Sequence, residues 1–243
     1  MKLTVIGMWG GFPKKDGPCS GYLLEHDNYH LLLDCGNGVL VKLQEMIELN
    51  QINDVILSHY HYDHYSDVGA FLYSRLVNTQ LGRVNQKLNL YGPYSSEKER
   101  EFAAVPYNHF QPINNETTLQ IGPFQVSFIK SIHPVETYGM KIVCEGKRIV
   151  YTSDTSFSEE LVEFAKDADL LLTESSLYEE MDGEASGHMT AKEAGILACQ
   201  ANAKKTLLTH LPHYGDLEEL IKSAKKQGES EISLAKPGMM IEI

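Results

Sequence analysis

The sequence predicts an α/β (α+β) fold of two mixed sheets sharing one core, with helices outside. Short apolar or alternating runs, the signature of strands, are interleaved with segments of helical spacing. The plan of the first half recurs in the second. No short-period repeat, low-complexity tract or Pro/Gly/Ser-rich linker interrupts the 243 residues, and 42% hydrophobic content suffices for a sizeable core, so one domain over 1–243 is expected.

The elements follow in order. Runs near 3–6, 21–24, 30–34 and 54–57 read as strands, and VLVKLQEMIEL (39–49) carries apolar residues at helical spacing. KLNLY (87–91) is strand-like, and SSEKEREFAA after it is a charged helix candidate. Three antiparallel strands are expected at 124–130, 140–145 and 147–152. Strand-then-helix units then continue through DLLLTE (169–174), TLLTH (206–210) and a closing strand near MMIEI, with helices at about 158–166, 190–203 and 216–227. TAKE (190–193) and DLEE (216–219) place a Thr or Asp N-cap three residues before a glutamate, as a capping box requires.

Charge and cysteines narrow the function classes. The formal charge is 21 − 33 = −12, which disfavours a long polyanion held by a broad basic surface. The four cysteines, at 19, 35, 144 and 199, form no CxxC pair, so neither a zinc knuckle nor a disulfide framework is indicated. MKLTVIGMWGG is too short an apolar stretch for a signal sequence and no run approaches membrane-spanning length, so a cytoplasmic protein with no membrane partner is expected.

SHYHYDHYSD (58–67) follows the apolar run Val55, Ile56, Leu57 and packs three histidines and two aspartates into ten positions. His59 and His61, two apart, would point about 200° from each other on a helix, so a helical HExxH-type site is excluded. On the extended end of a strand they share a face. Asp63 and His64 join them only if the chain turns there. A solvated turn is the plain alternative, and so many ligand-type residues at fixed spacing argue against it. His133, Asp154 and His210, each following apolar β-formers, are the further candidates. Imidazole and carboxylate donors suit zinc, with manganese or iron also compatible.

HYHYDH (59–64), with His133, Asp154 and His210 in that order, resembles the metallo-β-lactamase superfamily motif HxHxDH followed by His, Asp and His. The resemblance spans nearly the whole chain and implies a four-layer αβ/βα sandwich with a dinuclear site at one edge. By that match His59, His61 and His133 hold one divalent metal, Asp63, His64 and His210 hold the other, and Asp154 bridges them; Asp63 thereby counts with the catalytic residues too. Two cations about 3.5–4 Å apart can share a hydroxide and clamp the attacking and leaving oxygens of a displacement.

The branch is decided by other stretches, since fold alone cannot decide it. Asp154 argues against an antibiotic-degrading zinc β-lactamase, and His61, where flavin-coupled oxygen reductases carry Glu, argues against redox chemistry. LLLTESSL (170–177) and SGHMTAKEAG (186–195) resemble the ribonuclease Z-like phosphodiesterase branch, as do GMWGGFPKKDGPCSGYLLE and LLLDCGNG. That resemblance implies that His188 protonates the departing alkoxide and Glu174 orients it. The long arm by which transfer-RNA-processing members grip substrate, between the His133 and Asp154 positions, is missing. The expected substrate is therefore a small or cyclic phosphodiester, with RNA disfavoured. Ribonuclease Z-type RNA processing, thioester or lactone hydrolysis and a non-catalytic metal-binding module are the alternatives, and nothing excludes a homodimer.

The remaining residues get plainer readings. His26, His30 and His109 show no partner pattern. His213 is a candidate for the pocket mouth, and Trp9 with Gly10 and Gly11 for a wall. Asp34 and Asp67 are candidates for orienting ligand imidazoles.

Overall fold

The computed structural model describes residues 1–15, 17–228 and 230–243. Strands β1 (Lys2–Gly7), β2 (Gly21–His26), β3 (Tyr29–Leu33), β4 (Asp54–Ile56), β5 (Leu88–Pro93) and β6 (Asn108–Ile113) build the first sheet. The second holds β7 (Thr118–Ile121), β8 (Phe124–Lys130), β9 (Tyr138–Cys144), β10 (Lys147–Tyr151), β11 (Leu170–Glu174), β12 (Lys205–Thr209) and β13 (Glu231–Leu234). Strand β14 (Met240–Glu242) returns to the first sheet beside β1. Both sheets are mixed and mirror each other in plan: β3 to β6 run parallel in one, β10 to β13 in the other, and antiparallel pairs complete each.

Helices α1 (Val39–Leu43), α2 (Tyr62–Tyr65), α3 (Val68–Gln80) and α4 (Ser96–Ala103) accompany the first sheet. Helices α5 (Glu159–Ala165), α6 (Gly183–Ser186), α7 (Ala191–Gln200) and α8 (Leu217–Lys225) accompany the second. Among the described residues no helix is long and apolar enough to cross a membrane.

Strand alternation divides the core. Leu3, Val5, Leu31 and Leu33 face the second sheet, meeting Val126, Ile142 and Leu172, while Ile6 and Leu32 point the other way, toward Phe71 and Phe102 beneath α3 and α4. Leu161, Leu197 and Leu220 bring α5, α7 and α8 onto the far face of the second sheet. The result is the expected α/β/β/α sandwich.

Local chemistry explains the helix starts. The side chains of Ser95, Ser158 and Thr190 accept from the third amide of α4, α5 and α7, and Thr190 with Glu193 makes the reciprocal capping box. Asp216 caps α8 differently, accepting from Glu218 N, so DLEE is a cap without the reciprocal bond.

Two expectations change. The helix expected over 39–49 ends at Leu43, where the Gln44 side chain takes the Leu40 carbonyl at 3.0 Å, and a 3₁₀ turn follows at Leu49–Gln51. Strand β4 stops at Ile56, so His59 and His61 lie beyond the sheet in a turn that runs into α2, and the turn rather than strand alternation brings them together.

Candidate metal centre

Each chemically capable side chain follows the C-terminal end of a strand. His59, His61, Asp63 and His64 follow β4, His133 follows β8, Asp154 follows β10 and His210 follows β12, while Glu174 ends β11 and His188 precedes α7. Loops leaving strand ends in α/β sheets are where side chains converge without breaking sheet pairing. The chain turns sharply here: Asp34, Ser153 and His210 have φ of 56°, 53° and 51°, the left-handed region that non-glycine residues enter at a cost.

Three donor groups result, one of them Glu174, His188 and His210, and the other two share a carboxylate. His59, His61, His133 and Asp154 each offer one ligand atom, and these atoms lie within 4.8 Å of one another; Asp63, His64, Asp154 and His210 do the same. Asp154 belongs to both. The sets therefore divide the candidates as the sequence motif does.

The orientation of the rings fits cations. Four imidazoles spend Nδ1 on an outer partner: His59 on Ser58 Oγ (3.0 Å), His64 on Asp34 Oδ2 (2.8 Å), His133 on the Gly187 carbonyl (2.9 Å) and His210 on Ser176 Oγ (2.7 Å). With Nδ1 engaged outward in each ring, Nε2 is the nitrogen turned inward, as in metal-ligating histidines; there His133 Nε2 faces His61 Nδ1 at 3.2 Å and His210 Nε2 faces Asp63 Oδ2 at 3.0 Å. Within the cluster, buried His59 Nε2, His64 Nε2 and Asp154 Oδ1 have no hydrogen-bond partner among the described residues. His64 Nε2 and Asp154 Oδ1 stand only 3.3 Å apart without hydrogen-bond geometry. Buried orphaned polar atoms are rare in folded proteins, and divalent cations would satisfy these.

The charges point the same way. Burial pushes Asp154 toward its neutral form, but the facing His210 and His64 imidazoles hold its pKa well below the carboxylate range. Burial also opposes a charged His64, yet Asp154 and Asp34 raise its pKa well above the imidazole range. Burial and the neighbouring His64 push His59 well down. Buried carboxylates thus draw positive charge into the cluster, a demand cations meet.

Glu174 and His188 adjoin these sets. Fully buried Glu174 accepts from Thr155 N (2.6 Å), Met189 N (3.1 Å), Ser176 Oγ (2.8 Å) and His188 Nδ1 (3.0 Å), so its oxygens are engaged. The His188 ring stacks on His210, with centroids 5.5 Å apart and planes at 17°, and lies edge-on 5.1 Å from His133. Burial lowers the His188 pKa, but Glu174 outweighs it and raises the value from 6.5 to about 9. Asp154 and Asp63 push it in the same direction.

Several outer residues escape sequence reasoning. Ser58 donates to Asp34 through both N (2.7 Å) and Oγ (2.9 Å) while its hydroxyl takes the His59 proton; Tyr151 OH reaches the same carboxylate at 2.8 Å. Ser176 joins His210 to Glu174. Only their adjacency to the quoted motifs, SHYHYDH and TESSL, marked the serines. Asp34 touches the His64 imidazole as its position suggested, but Asp67 does not touch one: its carboxylate takes Leu40 N at 2.9 Å.

Comparison with known proteins follows the same outline. Residues 29–211 match the Beta-lactamase superfamily domain. The probable metallo-hydrolase YhfI of Bacillus subtilis (strain 168) is 40% identical, with 100% of both chains covered. The crystal structure of YhfI, a metallo-beta-lactamase fold protein, superimposes with a TM-score of 0.95 at 38% identity over 99% of this chain and 98% of that one. Ribonuclease Z of Archaeoglobus fulgidus is 25% identical over 100% of this chain and 97% of its own. The short form of human tRNase Z shares the fold, with a TM-score of 0.78 at 21% identity over 100% of this chain and 99% of that one.

Proposed function

Because the chain belongs to the beta-lactamase superfamily and is a metal-dependent hydrolase, we propose that it cleaves a small or cyclic phosphodiester. His59, His61 and His133 would hold one divalent cation, Asp63, His64 and His210 a second, and Asp154 both. Zinc suits these donors best, and manganese or iron is compatible. When bound, the cations supply Lewis acidity and activate water for attack at phosphorus.

The observation that carries this reading is the Glu174–His188 pair, 3.0 Å apart, set against the donor cluster. Either donor set alone would serve many hydrolyses. A protonated imidazole beside it matters for a poor leaving group: Glu174 holds His188 through Nδ1, leaving the Nε2 proton free for an alkoxide as its bond to phosphorus breaks. A thiolate, whose conjugate acid is far stronger than an alcohol, departs without that help. This favours a phosphodiester over a thioester.

Ribonuclease Z-type RNA processing is the second reading, favoured by the full-length similarity to the Archaeoglobus enzyme. Two features weigh against it. Between His133 and Asp154 the chain forms only β9 and β10, leaving no gripping arm, and the net charge is −12. The discriminating experiment gives the metal-loaded protein bis-p-nitrophenyl phosphate, a cyclic phosphodiester, precursor transfer RNA, a thioester and a lactone. The small diesters should turn over fastest. Efficient, steeply salt-sensitive cleavage of precursor transfer RNA would establish the second reading instead, and turnover confined to thioester or lactone would remove both.

A further inference from the structure

The turn after β1 and the turn after β12 assemble a stack of flat side chains beside the donor cluster. Lys14 Nζ lies 4.4 Å above the Trp9 ring. Trp9 stacks on His213 with centroids 5.0 Å apart and planes at 25°, and His213 stacks on Phe12 at 3.7 Å and 7°. His213 cannot swivel freely, because its Nε2–H donates to the carbonyls of Phe12 (2.7 Å) and Gly10 (3.1 Å). Trp9 is buried at 6% exposure, whereas Phe12 is 60% exposed. The series is closed by a cation at one end and open at the other.

The stack is tied to the cluster by its own backbone. Gly11 N donates to Asp63 Oδ2 at 2.6 Å, and Gly10 passes so close to His210 that a Cβ there would stand 2.7 Å from the ring. Gly10 N also donates to the Leu211 carbonyl at 3.2 Å. Phe12 is the next residue after Gly11, about 3.8 Å along the chain. A large aromatic ring is therefore held flat, rigid and solvent-facing at the lip of the site. Such a ring binds another planar group at small entropic cost, since its own order is already set.

We propose that Phe12 is a specificity-determining residue, whose open face, backed by His213 and Trp9, takes the nucleobase of a nucleotide-type phosphodiester. This rests on the phosphodiesterase reading only for the position of the phosphate at the donor cluster. Phe12 directly follows the Gly11 amide that holds the Asp63 carboxylate, so a base on its ring and a phosphate at the donor cluster would belong to one small ligand. Stacking on Phe12 is tolerant of base identity, since every base has a flat face.

Binding tests it without turnover. Trp9 is the sole tryptophan, one ring removed from Phe12, so its fluorescence reports on the stack. The metal-loaded full chain is titrated with adenosine 5′-monophosphate and with ribose 5-phosphate. The nucleotide should bind more tightly and change the Trp9 signal, and Phe12→Ala should cut its affinity about 5- to 100-fold, the worth of one base on an aromatic ring. Phe12→Tyr should restore the preference. Equal preference for nucleotide over sugar phosphate in wild type and Phe12→Ala, or no preference in wild type, overturns the assignment. Hydrolysis of bis-p-nitrophenyl phosphate is measured alongside. Cleavage without nucleotide preference keeps the phosphodiesterase reading and removes the platform; Phe12-dependent nucleotide binding without diester cleavage does the reverse.

Discussion

His188 differs from its neighbours in where it stands, not in what its Nδ1 touches. Like His64 on Asp34, it meets a buried carboxylate that holds three other donors, yet it belongs to neither of the donor sets that share Asp154. His188→Ala should retain metal and lower kcat by about 10²–10⁴-fold, the usual worth of a positioned acid. The defect should shrink along a substrate series of falling leaving-group pKa, because p-nitrophenolate leaves nearly unaided. A uniform defect, or loss of metal, would remove the acid role. The pH profile carries the sign: with its pKa raised to about 9, His188 keeps its proton through neutral pH and loses it as pH rises through about 9, so kcat for an alkoxide leaving group should fall there. Glu174→Gln should move that fall to lower pH, since the charge opposing the burial penalty is gone. Asp154→Ala should strip more metal than any single histidine change, because Asp154 alone serves both sets. Ser176→Ala should weaken metal retention about 10–100-fold through a freed His210 imidazole, with Thr restoring it, as read by competition with a chelator.

At the scale of elements, the site is a set of strand ends, and that is why much of it could be read. An apolar run of β-formers ending abruptly in His or Asp is visible in sequence before β4, β8, β10 and β12 end, and the core strands carrying those runs were expected close to where they lie. The strands that went unassigned are edges: β6 contains Pro112, tolerated only where one side of the strand is unpaired, and β7 and β13 close the two sides of the second sheet. Half-exposed edges carry little hydrophobic signal. Helix α3 was also unassigned, and its one-sided burial includes an arginine. Arg75, 1% exposed, donates to Asn53 Oδ1 (2.9 Å), the Gln86 carbonyl (2.9 Å) and the Ile52 carbonyl (2.6 Å), pinning α3 to the segments that enter β4 and β5. Arg75→Ala orphans the buried Ile52 carbonyl and opens a void, and should cost on the order of 3 kcal/mol in urea unfolding while leaving metal stoichiometry unchanged. The outer-partner serines were illegible for a different reason: nothing in a serine's local sequence says which distant imidazole its hydroxyl meets.

For the whole molecule, two sheets of like plan bring their strand ends to one edge, and the chemistry sits where loops from both meet. A net charge of −12 disfavours a long polyanion held by a broad basic surface. Adjacent lysines occur at 14/15, 204/205 and 225/226, and Lys204 is already joined to Asp169 at 2.7 Å. Any binding of precursor transfer RNA should therefore be weak at moderate salt, with a shallow dependence of log affinity on log salt, as measured by filter binding. What stands at the site is a compact set of donors in two groups sharing Asp154, with the Glu174–His188 pair beside them. A metal titration of the stripped protein, with bound cation and turnover of a small cyclic phosphodiester followed together, tests the central claim most directly. Turnover should rise and level off at two divalent ions per chain, with Asp154→Ala failing to reach that plateau. Levelling at one ion, or no diester turnover at any loading, would contradict a dinuclear phosphodiesterase.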